Sequence, residues 1–448
     1  MYYLFSLMGE NNQENGCLLG RVSCTTFNIL APIYKRLSDK TRESEFSELW
    51  ISRNETILDK LLEIKSSIIC LQEFWVENEE LVKMYEKRLG EAGYRTYKLA
   101  RTNNRGDGLL AAVHQNSFHV LNYKECVFNG IGDRVAQLFD VELLVPPEDQ
   151  IHKVGMRTIL VNTHLIFPHD YKYCFARLKQ VYKILQFIES YFKEYKLSSI
   201  PIILCGDWNG SMKGNVCRFL LSQGFVSAYD IAHPYIGHIV NKCKWVSHHN
   251  HRGNICAVDF VWLHNPNILR KPLKRSFMEA LLRNFYQLQS KVTENICALP
   301  FPRVDLTSVT CTQFSEALTE LKLAGPPFNV FIAEEIKDLW DHIDCNGDGV
   351  INMSHFFQQH GKYTEQPETP SEETDDALTT MSTVGFNVVK AMLFPEEVEQ
   401  GTWPQSYSLS DHALLTVELS MVPIAHCDSP EKLTRVKNNE NKFLIGSL

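Results

Sequence analysis

From Arg21 onward, short apolar runs rich in β-branched residues alternate with longer stretches of helical period. The runs are SCTTFNIL, SSIICLQE, GLLAAV, VAQLFDVEL, RTILVNTHL, PIILCGDWN and AVDFVWL, with HALLTVEL far downstream. Such alternation predicts an α/β domain. Between two of the runs Phe175, Leu178, Val181, Tyr182, Leu185 and Ile188 fall on one face of a helix. After Leu263 the strand pattern stops. Helical period takes over at Met278–Leu288, Phe314–Leu323 and Ile332–Ile343. Between Thr364 and Ala377 the chain is rich in Glu, Asp, Thr and Pro and has no Lys or Arg, a composition that cannot bury enough apolar surface to order itself. The strand pattern resumes at Val388–Phe394. The reading is therefore a loose lead-in over 1–20, an α/β domain over 21–263 and 384–420, an inserted helical module over 264–363, an acidic linker over 364–383 and a polar tail over 421–448.

Several apolar runs end on a polar residue: Asn28, Glu73, His164, Asp207 with Asn209, and Asp411-His412 just before the last run. Asp259 lies inside an apolar run, which is costly for a carboxylate without a partner. Each has an ordinary alternative: a turn-forming Asn28, an exposed strand-end Glu73, a satisfied structural His164. Gathered at one edge of a rigid scaffold, the same residues would form a metal-and-phosphate site. Glu73 offers hard oxygens of the kind Mg²⁺ takes, and His412 has an unperturbed pKa near working pH, suited to a general base.

The net charge of −8 excludes a surface that coats DNA, although a local groove neutralised by metal ions stays open. The 13 cysteines are scattered without CxxC pairs, which suits reduced thiols in the cytoplasm or nucleus. No leader and no apolar run long enough to span a membrane is read in the sequence, so no membrane partner is expected.

The ordered series Asn28, Glu73, His164, Asp207-x-Asn209, Asp259 and Asp411-His412 resembles the endonuclease/exonuclease/phosphatase superfamily. TTFNILAP, CLQEF, RGDGLLAAV, NTHL, Arg177-Leu178-Lys179-Gln180, CGDWN, GFVSAYD, VDFVWL and SDH resemble the branch of carbon-catabolite-repressor-type deadenylases, nocturnin and the Angel proteins. With its EF-hand-like insertion the chain also resembles the plant calcium-binding group of that superfamily. The resemblance implies a four-layer α/β sandwich of two mixed β-sheets flanked by helices. It implies Mg²⁺, or Mn²⁺ in its place, on Glu73 with Asn28 and Asp411 nearby. Asp259 would orient His412, Asp207 would position the attacking water or protonate the leaving group, and Asn209 and His164 would donate to phosphate oxygens. Arg105 and Asp107 stand where that branch keeps a similar motif and either shape the nucleotide pocket or make a polar turn. The expected activity is 3′-exonucleolytic hydrolysis of RNA, poly(A) above all, by a monomer. The alternatives are a phosphatase on a nucleotide, metabolite or RNA end, and a catalytically idle calcium-responsive protein. Trp245 and Trp262 could stack on a base or fill the core, and the cluster Arg270-Lys271-Pro272-Leu273-Lys274-Arg275 could meet phosphates or begin a solvated helix.

Within the insertion, Asp344, Asn346, Asp348, Gly349, Val350, Ile351 and Asn352 match an EF-hand loop, while His355 stands at the twelfth position in place of the usual Glu. A partner loop is expected upstream of Phe314, with Val309 at its eighth position and its ligand carboxylates gone. The pair should fold, with Ca²⁺ binding weak or absent.

Overall fold

The computed structural model describes residues 20–38, 40–144, 156–198, 200–234, 245–250, 252–266, 268, 270–294, 308–325, 330–344, 346–352 and 382–425. His355, most of the lead-in, nearly all of the acidic linker and the tail beyond 425 lie outside them. The strands are β1 (Arg21–Asn28), β2 (Ile68–Phe74), β3 (Tyr94–Ala100), β4 (Gly108–His114), β5 (Phe118–Val127), β6 (Val135–Leu143), β7 (Met156–His164), β8 (Ile202–Asp207), β9 (Val226–Ser227), β10 (His248–His249), β11 (Ile255–Cys256), β12 (Asp259–His264), β13 (Val309–Thr310), β14 (Val350–Ile351), β15 (Ser382–Phe394) and β16 (Leu414–Ala425). The helices are α1 (Ser47–Ile64), α2 (Glu79–Glu91), α3 (Tyr171–Tyr195), α4 (Asn215–Ser222), α5 (Ala228–Ala232), α6 (Leu273–Glu294), α7 (Cys311–Glu320) and α8 (Ala333–Ile343).

Two six-stranded sheets form, in the orders β15-β16-β1-β2-β4-β3 and β5-β6-β7-β8-β12-β9. Each is antiparallel apart from one parallel pair, β1 with β2 and β7 with β8. The inner strands are buried on both faces. Val22, Cys24, Ile68, Cys70, Ala111 and Val113 point between the sheets, while Phe27, Ile69, Leu71, Leu110 and Ala112 point toward α1 and α2. Successive strand residues face opposite ways, so a strand covered on both sides reads as a continuous apolar run. On the far side α3, α4 and α6 cover the second sheet through Phe175, Leu178, Phe219, Phe277 and Leu281. The four-layer sandwich of two mixed sheets flanked by helices is thus the architecture the sequence implied. A buried amide chain ties the sheets together: Gln72 donates to Asn162 at 2.9 Å, and Asn162 donates to Gln137 at 3.0 Å.

The inserted helices do not stand apart. Phe277 of α6 stacks on Tyr182 of α3, with ring centroids 3.9 Å apart. Phe314, Leu318, Leu339 and Trp340 of α7 and α8 continue the same apolar core, and Glu335 of α8 pairs with Lys179 of α3. At the other end, β16 runs to Ala425, into the segment read as tail, because Val422–Ala425 pair with Ser382–Gly385 and Met421 is buried. The edge strands β3 and β5, half exposed, carry no apolar run and went unread.

Arg53 of α1 pins two loops that lead into the polar strand ends. Its guanidinium donates to the carbonyls of Ile29, Leu30 and Leu409 at 2.7–2.8 Å and pairs with buried Glu43 at 2.5 Å. Breaking a buried pair leaves one charge uncompensated. Arg53→Met is expected to lower unfolding free energy in urea by roughly 3–5 kcal/mol, and Arg53→Met with Glu43→Leu to recover part of that loss. Equal destabilisation by the single and double variants would show that the carbonyl contacts, not the ion pair, carry the effect.

Candidate active site

The polar strand ends gather at one edge of both sheets. Asn28, His164 and Asp207 are the last residues of β1, β7 and β8. Asp259 opens β12 and lies directly opposite Asp207 in an antiparallel register. Glu73 sits at a bulge where the β2–β4 pairing shifts between Gln72 and Phe74, and its φ is 54°. Asn209 has φ 47°. Backbone held in the left-handed region at non-glycine residues is costly and clusters at functional sites. Gly206 precedes them with φ 149°, where a Cβ would lie 1.9 Å from the Thr163 carbonyl, so only glycine lets β8 approach β7 this closely.

Asp207 joins the two sheets. Its Oδ2 accepts from Asn28 Nδ2 at 3.1 Å, across from the first sheet, and lies 3.2 Å from His164 Nε2. Its Oδ1 accepts from the Asn209 amide at 2.9 Å. Burial pushes this carboxyl up, but His164, His412 and these hydrogen bonds outweigh burial and hold it well below the usual carboxylate range. Arg134 Nη1 lies 2.7 Å from His164 Nδ1. An arginine can only donate, so Nδ1 accepts and the His164 proton sits on Nε2, toward Asp207. Burial and the Arg134 charge pull His164 down to about 4, which keeps it neutral. Asn209 Nδ2 lies 2.9 Å from His164 Nε2 and donates to the Leu165 carbonyl.

His412 enters from the loop before β16. Ser410 fixes that loop: its Oγ donates to the Asn28 carbonyl at 2.7 Å and accepts from the His412 amide at 3.1 Å. His412 Nδ1 pairs with Asp259 Oδ2 at 2.9 Å, and Nε2 points to Asp207 Oδ2 at 3.8 Å. The His248 ring stacks on it at 4.0 Å. Burial opposes a charge on His412, yet the carboxylates of Asp259, Asp207 and Asp411 prevail and hold it up to about 10. Burial likewise raises Asp259, to about 6, against the pull of His412.

Glu73 accepts from Asn28 Nδ2 at 3.3 Å and from the Ala31 amide at 3.4 Å. Burial, then the negative charges of Asp411 and Asp107, raise it to about 7, with Arg134 offsetting only part. A half-buried carboxylate whose charge its surroundings leave largely uncompensated, with oxygen donors around it, fits a hard divalent cation. Glu73, Asn28 and Asp411 are the residues that would hold one. His248, Asp411 and His412 also bring one donor atom each within 4.8 Å of one another.

The remaining sequence candidates lie further out. Asp107 is fully buried and its carboxylate is taken by Tyr34 at 2.7 Å and Arg101 at 3.0 Å. Arg105 is exposed and donates to Asp133 at 2.7 Å. Trp245 and Trp262 are buried in the core, so neither face is open to a base. In the basic cluster, Arg270, Lys271, Lys274 and Arg275 pair with Glu189, Glu279 and Asp338 around the start of α6. Asp344, Asn346, Asp348, Val350 and Asn352 form a separate loop beside α8. There Asp344 accepts from the Gly349 amide at 3.0 Å, Asn346 donates to Asp348 at 2.8 Å, and β14 pairs β13 with Val309 opposite Ile351. Sequence reasoning missed Arg134, His248 and Ser410. Arg134, between Asp133 and the apolar start of β6, was a readable signal, whereas nothing in SHHNH singles out His248.

No family model matches the chain. An uncharacterized calcium-binding protein of Arabidopsis thaliana is 48% identical over 429 residues, covering 92% of this chain and 87% of that protein. Carbon catabolite repressor protein 4 homolog 1 of the same plant is 25% identical over 247 residues, 48% of this chain and 39% of its own length. The human nocturnin catalytic domain matches with a TM-score of 0.42 at 21% identity, covering 55% of this chain and 83% of that one. With its motifs brought together at one sheet edge and relatives of this kind, the chain belongs to the endonuclease/exonuclease/phosphatase superfamily.

Proposed function

We propose that the chain is a Mg²⁺-dependent phosphodiester hydrolase that acts as a monomer on RNA from its 3′ end, with poly(A) as the favoured substrate. The observation that carries this reading is His412, backed by buried Asp259 and facing Asp207, beside the uncompensated Glu73. When bound, the cation neutralises the phosphate and favours in-line attack. The chain's own groups do the rest. Asp207 positions the attacking water and accepts its proton, while His412, kept charged by Asp259 and Asp207 and with Nε2 3.8 Å from Asp207, donates toward the reacting phosphate. Asp259 keeps the ring in place through Nδ1. Asn209 and Arg134 supply donors toward the phosphoryl oxygens, where they count most as charge develops, and neutral His164 holds Asp207 in place. Water adds to phosphorus, the P–O3′ bond breaks, and the leaving O3′ takes up a proton. Arg105 and Asp107 serve at a distance, Asp107 by fixing Tyr34 and Arg101.

The deciding experiment is hydrolysis of poly(A), mixed RNA and 3′-phosphorylated nucleotides with Mg²⁺ or Mn²⁺. Turnover confined to the monophosphates would make the protein a phosphatase; turnover of none would leave a non-catalytic protein. Glu73→Gln is expected to abolish activity while making the metal-free protein more stable at pH 8, by on the order of 1–3 kcal/mol. The sign follows from the raised pKa. Folding favours the protonated carboxyl, so wild-type stability is full below the unfolded value and is lost as pH rises through about 7. Added Mg²⁺ should raise the wild-type melting temperature and leave that of Glu73→Gln unmoved.

His412→Ala and Asp259→Asn should each impair turnover by orders of magnitude. Their combination should be little worse than His412→Ala, because residues acting as one unit are not additive. Fully additive losses in kcat would separate the two residues.

For the 344–355 loop we propose a paired but degenerate EF-hand unit, supported by the Val309–Ile351 pairing. The calcium-binding name of the Arabidopsis relative favours some affinity. Replacement of the twelfth-position Glu by His355 removes two oxygens and a charge. Calorimetry is expected to give a dissociation constant no tighter than ~10⁻⁴–10⁻³ M, and His355→Glu to tighten it. Micromolar binding by the wild type would refute this.

A further inference from the structure

Arg177 of α3 turns its side chain inward and is 9% exposed. Its guanidinium lies against the turn after β8: a Cβ on Gly210 would stand 3.4 Å from Nη1. Its one close polar contact among the described residues is a weak one, Nη2 to Cys174 Sγ at 3.5 Å, and buried Nε has none. Among the described residues two other arginines with little exposure are answered by carboxylates, whereas buried Arg134 meets His164 and, at 4.0 Å, Asp107. Arg53 has Glu43 and three carbonyls, and Arg101 has Asp107 and Asp133. A guanidinium is a permanent charge with five donors. Held largely out of water with no carboxylate within 4.0 Å among the described residues, and with only the more distant charge of Asp207 to offset burial, it is costly unless an anion completes it.

Its place indicates which anion. The turn it touches carries Asp207 and Asn209, around which His164, Arg134 and His412 converge. Arg177 reaches that turn from the α3 side and makes no ion pair with Asp207 within 4.0 Å, so it stands outside the ring of groups around the reacting centre. Gly210, with no side chain, leaves the guanidinium against bare backbone. We infer that Arg177 seats a second, non-reacting phosphate of the substrate, one linkage away from the bond that is cut. This rests on the hydrolase reading and narrows it: the substrate is an ester with at least two phosphates, such as an RNA strand or a dinucleotide, in preference to an ester with one.

The kinetic test compares an adenylate trinucleotide with bis(p-nitrophenyl) phosphate, which has a single phosphate. Arg177→Met and Arg177→Gln should lose roughly tenfold to a hundredfold in kcat/KM on the trinucleotide, chiefly through KM, and less than about twofold on the single-phosphate ester. Arg177→Lys should recover part of the loss. Melting temperatures should not fall, since the substitution removes an unanswered charge. A second arm needs no turnover: calorimetry in chelator with adenosine 3′,5′-bisphosphate and adenosine 5′-monophosphate. Wild type should prefer the bisphosphate, and Arg177→Met should not. Equal losses on both esters, no loss on either, a fall in melting temperature with Arg177→Lys as poor as Arg177→Met, or unchanged discrimination in calorimetry would each overturn the assignment. If no ester is turned over by wild type, the hydrolase reading fails, and the calorimetric arm still decides Arg177.

Discussion

The structure turns on one buried carboxylate. Asp207 closes the seam between two sheets because it takes Asn28 from one, His164 from the other and the amide of its own turn. Remove that anion and Asn28, His164 and His412 lose the charge that orients them. Such an arrangement is tolerable only because positive and neutral donors outnumber the negative groups at this spot. Nearby the balance reverses, at Glu73, where the charges of Asp411 and Asp107 add to burial and Arg134 and His412 offset only part. One edge of the sandwich therefore holds two electrostatic compartments, one balanced by the protein's own donors and one with an excess of carboxylates.

How much of this was legible in the sequence follows from how each residue announces itself. Inner strands covered on both faces write apolar runs, and a polar residue at the end of such a run stands out, so Asn28, Glu73, His164, Asp207 and His412 could be read together. Residues that reach the site from elsewhere do not stand out. His248 comes from a two-residue ribbon and matters because of the ring it stacks on. Ser410 matters through the carbonyl it finds on another strand. β3 and β5 lie at sheet edges and have one face half in water, which dilutes their pattern. Asp107 was visible as a motif, but its engagement with Tyr34 and Arg101 depends on chain folding that spacing does not encode.

The insertion shows the same limit. Helical period located α6, α7 and α8 well, yet period alone does not say what a helix rests on. Their apolar faces join the main core, and Lys179 meets Glu335 on the same helix that carries Arg177. The segment expected as an insertion thus adds a further helical layer over α3 and α4.

The strand that carries His412 into place has a further consequence. β16 slots between β1 and β15, and Thr25 meets Thr416 across a sequence separation of 391 residues. Closing so long a loop is entropically slow to repay. A chain emerging from the ribosome presents Glu73, His164 and Asp207 long before it presents Asp411 and His412. The first sheet meanwhile has an open edge at β1, an unpaired ladder of the kind that invites wrong partners. The order of synthesis therefore acts as a timer: Glu73, Asp207 and Asp259 are made early, while Asp411 and the imidazole arrive only with the strand that seals the edge. A ribosome stalled within the acidic linker would hold a polypeptide that has Glu73, Asp207 and Asp259 and still lacks Asp411 and His412.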